Sequence, residues 1–88
     1  MNAMQCRMAR AGLKIGVRDL AVLAHVSPNT IARLERGERM HRETIDAVRE
    51  ALEAAGVVFF SSSDGAMGVA ISRKELLHEN PREQSSQP

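Results

Sequence analysis

Hydrophobic positions along the chain repeat with one period up to Gly56 and with another beyond it. Met4, Met8 and Ala11 (or Gly12) recur at helical spacing while Gln5, Arg7 and Arg10 fall on other faces, which predicts a first helix over residues 2–13 with the methionine stripe as its core face. Lys14-Ile15-Gly16 interrupts the pattern. It resumes over Val17–Ala24, where Leu20, Ala21 and Ala24 form the inward stripe and Asp19 complements the helix dipole from the first turn. The next start is better marked. Ser27 is an N-cap acceptor, Pro28 suits the first helical position, and Val26 can staple against Ile31. This third helix buries Ile31 and Leu34, stops at Gly37, and turns Asn29, Thr30, Arg33 and Arg36 outward. A fourth helix over Arg42–Ala55 places Ile45, Val48 and Leu52 on one face, with Asp46–Arg49 and Arg49–Glu53 spaced for surface pairs.

After Gly56 the residues become β-branched and aromatic. Val57-Val58-Phe59-Phe60, the turn material Ser61-Ser62-Ser63-Asp64-Gly65 and Gly68-Val69-Ala70-Ile71-Ser72 predict a β-hairpin over residues 57–72. Val58, Phe60, Val69 and Ile71 are expected to fill one face against the helices, which leaves Val57 and Phe59 with few partners. An isolated two-stranded hairpin is marginal in water. Two uses stay open for it: an isologous dimer in which Val57, Phe59, Val69 and Ile71 are the candidate contacts, or a cap on its own domain. Arg73–Glu79 reads as a short helix and Asn80–Pro88 as a disordered tail. The organisation is thus a helical domain over 1–56, a hairpin and dimerisation element over 57–73, and a short helix with tail over 74–88.

Composition narrows the function classes. Eighty-eight residues make one domain with a thin core. Two Phe, no Tyr and no Trp argue against holding single strands by base stacking. The net charge is only +1, but Arg7, Arg10, Lys14, Arg18, Arg33, Arg36 and Arg39 sit in the front half and the acids concentrate after Met40. A single cysteine, Cys6, excludes an internal disulfide, and His25, His41 and His78 lack ligand spacing, so neither metal nor cofactor is expected. No apolar run of about 18 residues and no secretory core are present, so a cytoplasmic protein without a membrane partner is expected. No nucleophile–base set, paired carboxylates or phosphate loop suggests an enzyme.

Two short helices about three residues apart, the second capped and polar outside, form the helix-turn-helix pattern, whose second helix enters the major groove of duplex DNA. Asn29 can pair with adenine, Thr30 can hydrogen-bond a base or touch a thymine methyl, and Arg33 can pair with guanine. Arg36 and Arg39 suit phosphates better than bases, and Arg42 is either a phosphate ligand or a solvated surface charge.

The stretches Ile15-Gly16-Val17-Arg18-Asp19-Leu20-Ala21 and Val26-Ser27-Pro28-Asn29-Thr30-Ile31-Ala32-Arg33-Leu34-Glu35-Arg36-Gly37 resemble the Cro/phage-repressor-like (XRE-like) helix-turn-helix family. The resemblance covers residues 4–55 and implies a mainly α fold, a four-helix lambda-repressor-like DNA-binding domain, here followed by a C-terminal β-hairpin. It implies a transcriptional regulator that binds double-stranded DNA as a homodimer on a two-fold symmetric operator. Carried over by position, Ser27, Asn29, Thr30 and Arg33 match base-reading residues, and Arg10 and Glu35 match a pair that bridges the first and third helices. Val17 stands where the family has glutamine and is a base-reading candidate only through contact with a thymine methyl, while Arg18 joins Arg36, Arg39 and Arg42 as a phosphate candidate. Gly16 replaces the usual Ser or Thr cap, and His25 and Lys14 stand at positions the family often gives to glycine. The alternative reading is a protein-interaction module of antitoxin or antiactivator type, with autoregulatory DNA binding.

Overall fold

The computed structural model describes residues 1–72; the short helix expected over Arg73–Glu79 and the tail from Asn80 lie outside them. Four helices are followed by one hairpin: α1 (Ala3–Leu13), α2 (Val17–Ala24), α3 (Pro28–Glu35), α4 (Arg42–Ala54), β1 (Val57–Ser61) and β2 (Met67–Ile71). The strands pair antiparallel with Val57 opposite Ile71, Phe59 opposite Val69 and Ser61 opposite Met67.

The helices stop where the backbone can turn left-handed. Lys14 and His25 both take φ 60°, and Gly37 takes φ 86°. At each, two amides fold back on the last turn: Lys14 and Ile15 donate to Ala11 and Arg10, His25 and Val26 to Val22 and Ala21, Gly37 and Glu38 to Leu34 and Arg33. These are Schellman endings, which satisfy carbonyls the helix leaves open. Lysine and histidine accept the strain of a left-handed backbone that glycine avoids.

Cys6 and Ala9 from α1, Leu20, Ala21 and Ala24 from α2, Ile31 and Leu34 from α3, Val48 and Leu52 from α4, and Val57 from β1 form one core. The first helix does not present the stripe its sequence predicts. Gln5, Cys6 and Ala9 are buried, whereas Met4 is 50% exposed and Met8 only half-buried. Small side chains let α1 approach its neighbours, and close packing outweighs the larger apolar area of methionine. Gln5 is tolerated inside because its polar atoms are all used. It closes a capping box with Asn2, and its Nε2 donates to the carbonyls of Phe60 and Gly68 at 3.2 and 3.1 Å, tying α1 to the hairpin.

In β2 Val69 and Ile71 turn toward the helices as expected, but β1 does so by Val57 and Phe59 instead of Val58 and Phe60. Val57 is 3% exposed, and Phe59, Val69 and Ile71 pack partly against the core, while Val58 and Phe60 are each 53% exposed. Both faces of this hairpin are apolar, so alternation along the strands carries no information about which one turns inward. The register fixes only which residues share a face, pairing Val57 with Ile71 and Phe59 with Val69 on one side, and it is that side that packs on the helices. Gly12 of α1 makes room, since a Cβ there would stand 3.1 Å from the Ile71 side chain. Of the candidate dimer contacts, Val57 is therefore buried in its own domain, while Phe59, Val69 and Ile71 are only partly covered. The apolar residues left outside on the hairpin are Val58, Phe60 and Met67.

Candidate nucleic-acid interface

The corner between α2 and α3 is three residues, His25-Val26-Ser27. Ser27 Oγ accepts the Thr30 amide at 3.1 Å and shares a 2.9 Å hydrogen bond with the Thr30 hydroxyl, so the Ser27 side chain is occupied as a cap. At the start of α2, Gly16 offers no side chain, but Asp19 reaches back and its carboxylate accepts the Gly16 amide at 2.9 Å, supplying half of a capping box.

Ile31 and Leu34 anchor α3 in the core and set its outward face. Asn29 and Arg33 are exposed on that face and Thr30 is half-buried. Among the described residues, the Asn29 side chain makes no hydrogen bond, which leaves its amide available. Arg33 and Arg36 are drawn together by Glu38, one oxygen meeting Arg33 Nε at 2.9 Å and the other meeting Arg36 Nε and Nη2 at 3.0 and 2.8 Å. Glu38 is a residue that sequence reading did not single out. Its carboxyl is held below the usual range by hydrogen bonds from Arg33 first and Arg36 second. The only signal for it is its place just beyond Gly37, where the turn swings it back over the helix end.

Beside this face lies a shallow cleft of about 520 Å³ lined by Thr30, Arg33, Arg39, Met40, His41 and Thr44. Two arginines, two hydroxyls and an imidazole along one depression suit an anionic, hydrogen-bonding chain such as a phosphate backbone. The structure thus brings Thr30, Arg33, Arg36 and Arg39 to one side, with Asn29 on the same helix. No hydrogen bond or ion pair among the described residues ties Val17, Arg18 or Arg42 to that group. Arg18 and Arg42 are exposed, and Val17 packs partly against the core.

Behind α3 is a second arginine–glutamate arrangement. Arg10 meets Glu35 through Nε at 2.8 Å and Nη2 at 2.9 Å, a bidentate contact between α1 and α3. Arg10 Nη1 also donates to the carbonyl of Ile15 at 3.2 Å, and Arg7 donates to the Glu35 carbonyl at 2.9 Å. The buried Cys6 thiol donates to Glu35 Oε2 at 3.4 Å. Burial works to raise the Glu35 pKa, but hydrogen bonds from Arg10 and Cys6 and the charges of Arg10 and Arg7 outweigh it, so the carboxyl titrates below its ordinary range. Burial, reinforced by the adjacent Glu35 charge, pushes the Cys6 thiol up to about 12, which makes it a packing group and a poor nucleophile.

No group of three or more potential metal-ligating side chains occurs among the described residues, and none of the described helices is long and apolar enough to cross a membrane. No protein-family model matches the chain, and no curated protein matches it.

Proposed function

We propose that this protein is a sequence-specific regulator of transcription that binds duplex DNA through α3, a lambda-repressor-like domain in the manner of the XRE-like family it resembles. One observation carries the reading: a short, firmly capped helix held by Ile31 and Leu34 presents Asn29, Thr30 and Arg33 outward, beside a cleft containing Arg39. In this reading Asn29, Thr30 and Arg33 meet base edges, and Arg36 and Arg39 grip phosphates with Arg18 and Arg42 as outer contacts. Ser27 sets the helix start, and Val17 touches a base by a methyl at most. The activity is binding and needs no cofactor.

The homodimer on a two-fold operator draws on the exposed Val58 and Phe60, which share the outer face of the hairpin, in place of Val57, which is buried in its own core. The same apolar face also favours the second reading, in which an unrelated protein is the partner and DNA binding is autoregulatory.

Selection of bound sequences from random duplex DNA tests the proposal. A two-fold symmetric motif is expected, and Arg33→Ala should cost about 1–3 kcal/mol and relax preference at one base pair of each half-site. Recovery of no enriched sequence, or unaltered preference in the variant, would contradict the assignment.

A further inference from the structure

Glu38 is a carboxylate on a surface otherwise furnished with arginines, and the chain fixes it there at two levels. Gly37 at φ 86° and the amide of Glu38 donating to the Arg33 carbonyl at 3.1 Å place its backbone over the end of α3. Its side chain then divides between Arg33 and Arg36 unequally. Among the described residues, Arg33 spends only Nε on Glu38 and keeps both terminal Nη groups, the pair that forks onto a guanine edge. Arg36 gives up Nε and Nη2 together, the edge with which it would grip a phosphate.

We infer that Glu38 is a positioning residue of the DNA-binding face: it aims Arg33 for base reading and withholds Arg36 from indiscriminate phosphate contact. The inference rests on the DNA-binding reading above and deepens it. A phosphate approaching Arg36 must displace a carboxylate already bound and stand near its negative charge. That penalty falls on every duplex, whatever its sequence. A duplex with a matching base recovers part of it through an Arg33 fork that is already ordered, so the carboxylate trades affinity for discrimination.

The test compares Glu38→Gln with the parent protein on one random-sequence duplex and on the best duplex recovered by selection, across a salt titration. Glu53→Gln, which removes the partner of Arg49 on α4, is the control for net charge alone. Glu38→Gln should bind the random duplex on the order of threefold to tenfold tighter at low salt, with a salt dependence steeper by about one phosphate contact. Its preference for the selected duplex should shrink, and Glu53→Gln should change neither quantity. Unchanged affinity and salt dependence in Glu38→Gln, equal weakening on both duplexes, or an equal gain from Glu53→Gln would each overturn the role of Glu38 while leaving DNA binding intact. A parent protein that binds neither duplex would instead overturn the DNA-binding reading, and this inference with it.

Discussion

Glu35 and Glu38 lie a turn apart at the end of α3, and each engages two arginines, yet the two clusters have different uses. Glu35 is buried at 8% side-chain exposure and takes Arg10 in bidentate fashion, with the Cys6 thiol behind it and Arg7 on its carbonyl. Glu38 is 40% exposed, and its partners Arg33 and Arg36 are more exposed still. The Coulomb attraction is of the same kind in both, but water and salt weaken it far more at the surface than in the interior. A buried pair of this sort joins elements: it fixes the angle at which α1 meets α3. A surface pair can dissolve and re-form with other anions, which is what a binding face requires.

The comparison breaks most sharply at Glu35. Glu35→Ala leaves Arg10 with an unpaired charge beside the core and removes the acceptor of Cys6. It should destabilise the domain by about 3 kcal/mol in urea unfolding, near the low end for a broken buried pair because Arg10 keeps some water contact. A loss below about 1 kcal/mol would mean that the buried cluster is worth no more than a surface pair.

Next comes the hinge between the clusters. A Cβ added at Gly37 would have no neighbouring atom within 4 Å, so Gly37→Ala meets no clash and tests backbone strain alone at φ +86°. The expected cost is about 1 kcal/mol, measured in the same unfolding assay, because Lys14 and His25 show that this chain carries residues other than glycine in the same ending. A variant as stable as the parent would show that the third ending does not depend on glycine.

How much of this was legible in the sequence differs between the helices and the hairpin. The start and stop of α3 followed from Ser27, Pro28 and Gly37, because caps act within a few residues and leave local marks. Helix existence followed from apolar spacing, but which face of α1 turns inward did not. That depends on how closely α1 can approach its neighbours, and small Cys6 and Ala9 permit an approach that Met4 and Met8 would prevent. The hairpin's inward face was equally illegible because Val57, Val58, Phe59 and Phe60 offer no polar contrast. On the candidate interface, Asn29, Thr30 and Arg33 were readable from the amphipathic pattern of α3. Glu38 was not, since its meeting with Arg33 and Arg36 depends on a three-dimensional turn after Gly37.

The smallest expected effect is the most discriminating. Glu38→Gln should leave the thermal midpoint at neutral pH unmoved, because its pairs stand in water. Acid separates the two glutamates further. Glu35 titrates below its ordinary value of 4.5 in the folded protein, so the unfolded chain takes up its proton first as pH falls. Its contribution to stability is therefore complete above about that value and is lost as pH drops through the depressed folded value. Glu38 is shifted in the same direction, but its exposure leaves little of that shift coupled to folding. Unfolding midpoints followed from neutral to acid pH should thus fall along the same curve for the parent and Glu38→Gln, while Glu35→Gln starts lower and falls less steeply. If Glu38→Gln flattened the acid limb instead, the exposed cluster would be holding the fold together, and its arginines would not be free to exchange one anion for another.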